Sequence, residues 1–292
     1  MVEFGSYLLG GVTSGIIYAL LALALVLIYR SSGVVNFAQV GQATITCYIA
    51  LTVQLRTGSW LLGLVTALIA GVLLGLIVQV FVLRPVRRSD PAGALIASFG
   101  VLIALQGVAG LVWSGEFRAF PQPFPDTPLV IGGAALPFSV YNLVTLIAAA
   151  LLVVFLAWLF NRTDVGLAMR ASAHNPEVAR LSGVRVGRMI ALGWGLAGLV
   201  GALAGVLVAP LTLLSPTSFN VLLVFAFTVA VVGGLESPVG AVAIGIFTGV
   251  VLSLVTGYTD ATNTPLVALA LLVISLILKP EGAFGHRATR EV

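Results

Sequence analysis

The chain has 292 residues, of which 60% are hydrophobic and only 8% charged, and its mean hydropathy is +1.15. A soluble domain carries roughly 25% charged residues, so 14 basic and 10 acidic side chains cannot clothe a chain of this size for water. Despite a pI near 9.6, this composition excludes an ordinary cytosolic enzyme, a disordered chain and a nucleic-acid binder, and leaves a bilayer as the solvent.

The charges punctuate the chain into segments of about the 20 apolar residues that a spanning helix needs. Tyr7–Tyr29 is apolar and ends at Arg30. The residues before it, Met-Val-Glu-Phe, lack the basic start of a signal peptide, so this span is expected to be retained. Val34–Val53 is free of charge but holds Asn36, Gln39, Gln42, Thr44 and Thr46. Trp60–Leu83 ends at Arg84, and Ala92–Trp113 follows Arg87, Arg88 and Asp90. Ser114–Ser139 is rich in proline and reads as an extended, turn-rich loop. Val140–Phe160, Ile190–Leu214, the short Val221–Gly234, Pro238–Thr256 and Pro265–Leu278 complete the set. Every backbone group in hydrocarbon must be bonded internally, and these runs do not alternate, so they are helices rather than barrel strands. The fold class is all-α: a polytopic membrane bundle of eight or nine spans, one transmembrane domain over residues 1–292. A long Gly/Ala helix followed by a short segment with a polar opening occurs at Tyr7–Val53 and again at Ile190–Gly234, which suggests an inverted repeat.

Orientation follows from the basic residues. With nine crossings, Arg30, Arg84, Arg87, Arg88, Arg162, Arg170, Arg180, Arg185, Arg188, Lys279, Arg287 and Arg290 fall on one side, and Arg56 and Arg118 on the other. The positive-inside rule then puts the N-terminus outside and the C-terminus in the cytoplasm. It makes residues 114–139 extracytoplasmic and residues 161–189 cytoplasmic.

The three amides Asn36, Gln39 and Gln42 are spaced by three and would share one face of a helix. Lipid is a costly neighbour for an amide. They therefore either bond to a neighbouring helix or, with Phe37, line a polar pathway. Gly71 with Gly75, Gly201 with Gly205, and Gly245 with Gly249 have the small-xxx-small spacing that lets helix backbones approach in lipid.

The cytoplasmic segment contains one delimited helix. Asn175 can cap it, Pro176 suits its first position, Glu177 its first turn, and Gly183 the left-handed residue after its end. Val178 and Leu181 share a face of this helix, Pro176–Ser182, and Arg180 lies off it. So short a helix is marginal in water and needs either its own bundle or a groove on another protein.

Catalytic and metal constellations are absent from the sequence. The single Cys47 can form no internal disulfide and no Cys-based metal site. His174 and His286 have no ligand cluster around them. Lys279 follows no glycine-rich phosphate loop, and no ionisable residue falls clearly at a bilayer centre. Any transport would draw its energy from elsewhere, so the chain is expected to be no enzyme and to hold no cofactor of its own.

Five stretches, in order, resemble the LivH-type permeases of branched-chain amino acid ABC transporters: Tyr18–Tyr29 running into Gly33-Val-Val-Asn-Phe-Ala-Gln39; Arg84-Pro-Val-Arg87 before Ile96–Val101; Gly166–Ala171 with Ala179–Val184; Gly233–Ala241; and Leu278–Gly285. The family usually has a Gly-acidic pair after the first motif, where this chain has Val40-Gly41. An acid is also frequent before the docking helix, where this chain has His174-Asn175. The resemblance implies a second permease subunit, two ATPase subunits that bind the ATP, and an extracytoplasmic substrate-binding protein. It implies that Asn175, Pro176, Glu177, Val178, Arg180, Leu181 and Gly183 dock in an ATPase cleft. The implied substrate is a branched-chain amino acid, or a related small polar solute such as urea, an amide or another amino acid. A stand-alone channel or facilitator is the alternative, and it would have no need of a docking helix.

Overall fold

The computed structural model describes residues 2–87, 91–124, 127–131 and 134–285. The calls on Arg88, His286, Arg287 and Arg290 lie outside these residues. In chain order the helices are α1 (Val2–Ser32), α2 (Gln39–Thr57), α3 (Trp60–Ile77), α4 (Arg84–Arg87), α5 (Pro91–Trp113), α6 (Val140–Arg162), α7 (Asp164–His174), α8 (Pro176–Leu181), α9 (Val186–Val208), α10 (Asn220–Gly233), α11 (Pro238–Tyr258) and α12 (Thr264–Leu278). A π-helical stretch, Val78–Leu83, joins α3 to α4. Among the described residues seven helices are long and apolar enough to cross a membrane. The polar α2 and the 14-residue α10 bring the set to the expected size.

The core is α1 and α9. Buried residues make up 83% and 72% of their apolar windows, against 6% to 33% for the other five spans. The outer helices turn large apolar side chains outward, such as Leu111 at 90% exposed, Ile277 at 75% and Ile96 at 73%. Such a surface is stable against lipid tails and not against water. The protein is an integral membrane protein.

Glycine sets the closest crossings. A Cβ on Gly15 would lie 2.7 Å from the Gly245 carbonyl oxygen, and one on Gly11 2.7 Å from Val250 Cα, so α1 and α11 touch backbone to backbone. The α3–α9 crossing is built the same way: Gly71 and Gly75 meet the Gly198 and Trp194 carbonyls. Gly201 and Gly205 instead make room for α2, facing Gln39 and Cys47. The packing exchanges the two halves of the chain. α1 packs on α11 and α10, while α9 packs on α3 and α2.

The two ends of the bundle differ. Arg30, Arg170, His174 and Glu236 surround one cavity, and Arg84, Arg180, Arg185 and Arg188 another. Ser32, Arg84 and Ile190 share a third and so tie these ends of α1, α3 and α9 together. At the opposite end lie Arg56 and the loop after α5. That loop contains β1 (Arg118–Ala119), β2 (Pro128–Ile131) and β3 (Ala134–Ser139). β2 and β3 form an antiparallel hairpin, and β1 pairs with β4 (Leu213–Leu214) after α9. This agrees with the expected extended loop. Gln54 Nε2 ties α2 to the loop by donating to the Pro121 carbonyl at 3.1 Å.

Candidate functional site

Two crossings are broken. After α1 the chain turns at Gly33, whose φ of 70° suits glycine, and stays non-helical through 33–38 before α2 begins. Gln39 bonds Ala197, which lies about 16 Å along α9 from Val186. The start of α2 is therefore deep in the bilayer. The second break, 209–219, lies at the opposite end and leads into α10. Asn220 at the head of α10 accepts from Gln106 Nε2 of α5 at 2.6 Å. Neither α2 nor α10 has a side-chain cap on its N-terminus, so no side chain offsets the positive end of either helix.

Asn36 corrects one expectation. It does not share a helix face with Gln39 and Gln42, because it sits in the turn before α2. Its Oδ1 accepts from Ala38 N at 3.0 Å, the local side-chain bond with which Asn competes against helix. Its Nδ2 donates to Gln39 Oε1 at 3.3 Å, and Gln39 Nε2 donates to the Ala197 carbonyl at 3.0 Å. Asn36, Gln39 and Gln42 are 0%, 1% and 1% exposed. Two of the amides thus form a chain that crosses from α2 to α9. Gln42 is different: neither its Nε2 nor its Oε1 has a partner. A buried amide without partners is costly.

Phe37 lies on the outer side of this cluster. Its ring stacks on Phe99 of α5 with centroids 4.2 Å apart, and Phe227 of α10 lies at 5.7 Å. Its backbone N donates to Ser98 Oγ at 3.3 Å. Phe99 is 46% exposed. The four candidate pathway residues therefore meet where α2, α5, α9 and α10 converge, with apolar rings in front and amides behind.

At the arginine-rich end, α8 forms where expected. Asn175 Oδ1 accepts from Glu177 N and Val178 N, both at 3.1 Å. Pro176 takes the first helical position, and Gly183 adopts φ 83° just beyond the helix. The Val184 N–H returns to the Ala179 carbonyl at 2.9 Å, closing the helix end. Ala179 is buried, whereas Val178 is 55% and Leu181 89% exposed. The helix α7 was not expected from the sequence. Its signal is Thr163, whose Oγ1 accepts from Gly166 N at 3.1 Å, followed by Asp164 in the first turn. Gly166 lets α7 fold back against the carbonyl end of α6. α7 thereby holds α8 at the end of the bundle. Among the described residues there is no cluster of His, Cys, Asp and Glu that could hold a metal.

The family described as "Branched-chain amino acid transport system / permease component" matches residues 7–277. The chain is 31% identical to the high-affinity branched-chain amino acid transport system permease protein LivH of Salmonella typhimurium, over 99% of this chain and 98% of the relative. It is 28% identical to the permease protein BraD of the corresponding Pseudomonas aeruginosa system, over 98% and 97%. It is also 28% identical to the probable branched-chain amino acid transport permease protein LivH of Methanocaldococcus jannaschii, over 94% and 91%. No solved structure matches the chain. A membrane bundle with broken, amide-bearing crossings and a family match over nearly its whole length identifies the chain as a member of the branched-chain amino acid transport permease family.

Proposed function

We propose that this chain is the membrane subunit of an ABC importer in the plasma membrane, carrying branched-chain amino acids inward. Its arginine-rich end faces the cytoplasm. A second permease subunit completes the pathway, an extracytoplasmic protein delivers the substrate, and two ATPase subunits bind the ATP. The uncapped N-terminus of α2 within the bilayer suits a substrate carboxylate, and the Phe37–Phe99–Phe227 cluster suits a branched apolar side chain.

The observation that carries this reading is α8. A six-residue helix, capped at its start, leaves Leu181 89% exposed to water. An exposed apolar side chain on so well-delimited a helix suits a groove on another protein. ATPase closure would push on α8, and α7 and α9 would pass the movement to the spans. Leu181→Asp tests this. The variant should reach the membrane at normal level, lose the ATPase on purification and lose substrate-stimulated ATP hydrolysis. Normal co-purification and stimulation would remove the docking role. Uphill uptake by the chain alone, driven by a proton or sodium gradient, would refute the importer reading as a whole.

A further inference from the structure

A cavity of about 620 Å³ lies at the arginine-rich end, between the π-helical end of α3 and the start of α9. Arg84, Arg180, Arg185 and Arg188 line it, with Gln79 and Val80 on the α3 side. No acidic side chain lines it among the described residues. The bias of basic residues toward one end accounts for arginines spread over that end. It does not account for four of them, from two separate stretches of chain, converging on one hollow, where like charges repel. The start of α9 adds to the field: Arg185 supplies no side-chain cap, so the positive end of this 23-residue helix is unopposed there.

The surroundings narrow the ligand. Next to the hollow, Ile77 is 50% and Phe81 74% exposed, continuing the apolar outer stripe of α3 formed by Val65, Ile69 and Leu73. A ligand seated here meets guanidiniums at its head and hydrocarbon-facing side chains beside it. We propose that this hollow binds the phosphate headgroup of an anionic membrane phospholipid, whose acyl chains lie along α3. The alternative occupant, an acidic surface of an ATPase subunit, is less well matched. The face that α8 offers to a protein is the apolar pair Val178 and Leu181, whereas Gln79 and Val80 belong to a membrane span. A lipid bound here would brace α3 against the α8–α9 turn, the segment that α8 must move. Arg180 and Gly183 of this hollow also belong to the residues assigned to ATPase docking, so the lipid shift is measured without the ATPase and with both residues unchanged.

The test uses the full chain purified in detergent. Thermal unfolding is followed while phosphatidylglycerol, phosphatidylcholine or inorganic phosphate is added, and lipid retained through purification is counted by native mass spectrometry. Phosphatidylglycerol should raise the midpoint and remain bound; phosphatidylcholine and inorganic phosphate should do neither. The triple variant Arg84→Gln, Arg185→Gln, Arg188→Gln should bind phosphatidylglycerol on the order of a hundredfold more weakly, from the charge each basic residue contributes near an anionic surface. The matching triple Lys variant keeps the charge and should retain most of the shift, which separates lost binding from misfolding. An equal shift with phosphatidylcholine, a shift reproduced by inorganic phosphate, or an undiminished shift in the Gln variant would each overturn the proposal. So would retention of phosphatidylglycerol only when an ATPase subunit is present.

Discussion

Gln39 of α2 donates its side-chain amide to the main-chain carbonyl of Ala197 on α9, 3.0 Å away, in the depth of the bilayer. The space for that amide exists because residue 201, one turn further along α9, has no side chain. A Cβ on Gly201 would run into Gln39 Nε2 and lie 3.2 Å from Gln39 Cδ. The obstacle is the end of a flexible side chain, so Gly201→Ala should fold and insert. It should displace the amide and leave it unbonded, at a cost of about 1–3 kcal/mol. A lowered thermal midpoint at normal membrane level is the expected result. An unchanged midpoint would mean that Gln39 finds an equivalent partner.

Where the obstacle is backbone, the cost should be larger. A Cβ on Gly71 would press on the Gly198 carbonyl and lie 2.8 Å from Ala202 Cβ, and one on Gly198 would press on the Gly71 carbonyl. Neither obstacle can swing away. Gly71→Ala and Gly198→Ala should each force α3 and α9 apart, at about 1–3 kcal/mol or more. Both should lower the thermal midpoint further than Gly201→Ala does. The reverse order would contradict the backbone-to-backbone crossing.

Gln42 separates stability from transport. Both of its polar side-chain atoms are buried and unpartnered. Gln42→Leu removes that burden with little change in volume and should stabilise the chain by about 1 kcal/mol. If Gln42 meets the substrate, uptake should fall in the same variant. A stabilised variant with full uptake would place the pathway elsewhere. Gln39→Leu makes the contrast, because it deletes a bond that is made.

The spans were readable from the sequence because charge cannot sit at bilayer depth, so Arg30, Arg84 and Arg162 mark where apolar runs must end. The cap of α8 was readable for a related reason: Asn175, Pro176 and Gly183 act within a few residues of their own positions. Asn36 was misplaced on a helix because spacing alone cannot show a turn. Gly33 and the bond from Ala38 N to Asn36 make that turn locally. Gln39 and Gln42 have the same residue type and burial, yet one has a partner 158 positions away and the other none. No periodicity carries that difference. The π-helical stretch Val78–Leu83, which contains Gln79, also left no mark in the pattern, since it shifts the register of a helix that is otherwise apolar.

Orientation has a direct test. Glu116 lies exposed in the loop after α5, and Asn161 lies exposed beside Arg162 at the other end of the bundle. Cys47 is fully buried and can be replaced by alanine to clear the background. In that setting Glu116→Cys should react with an impermeant thiol reagent on intact cells. Asn161→Cys should react only after permeabilisation. The opposite pattern would invert the topology and remove α8 from the cytoplasm.

The cap of α8 gives the most discriminating prediction for coupling. One oxygen of Asn175 accepts from both the Glu177 and Val178 main-chain N–H groups. A helix of six residues has few other bonds to lose. Asn175→Ala should destabilise α8 by about 1 kcal/mol, which at equilibrium weakens ATPase binding severalfold while leaving the apolar face chemically intact. Asn175→Asp restores an N-cap acceptor of similar strength and should recover binding. This pair distinguishes a docking helix from a surface patch. If Val178 and Leu181 acted merely as exposed apolar side chains, Asn175→Ala would bind the ATPase as well as the parent chain does. If α8 must be ordered before it docks, ATPase affinity should follow the cap: it should fall in Asn175→Ala and return in Asn175→Asp. The thermal midpoint of the spans should stay constant across all three proteins.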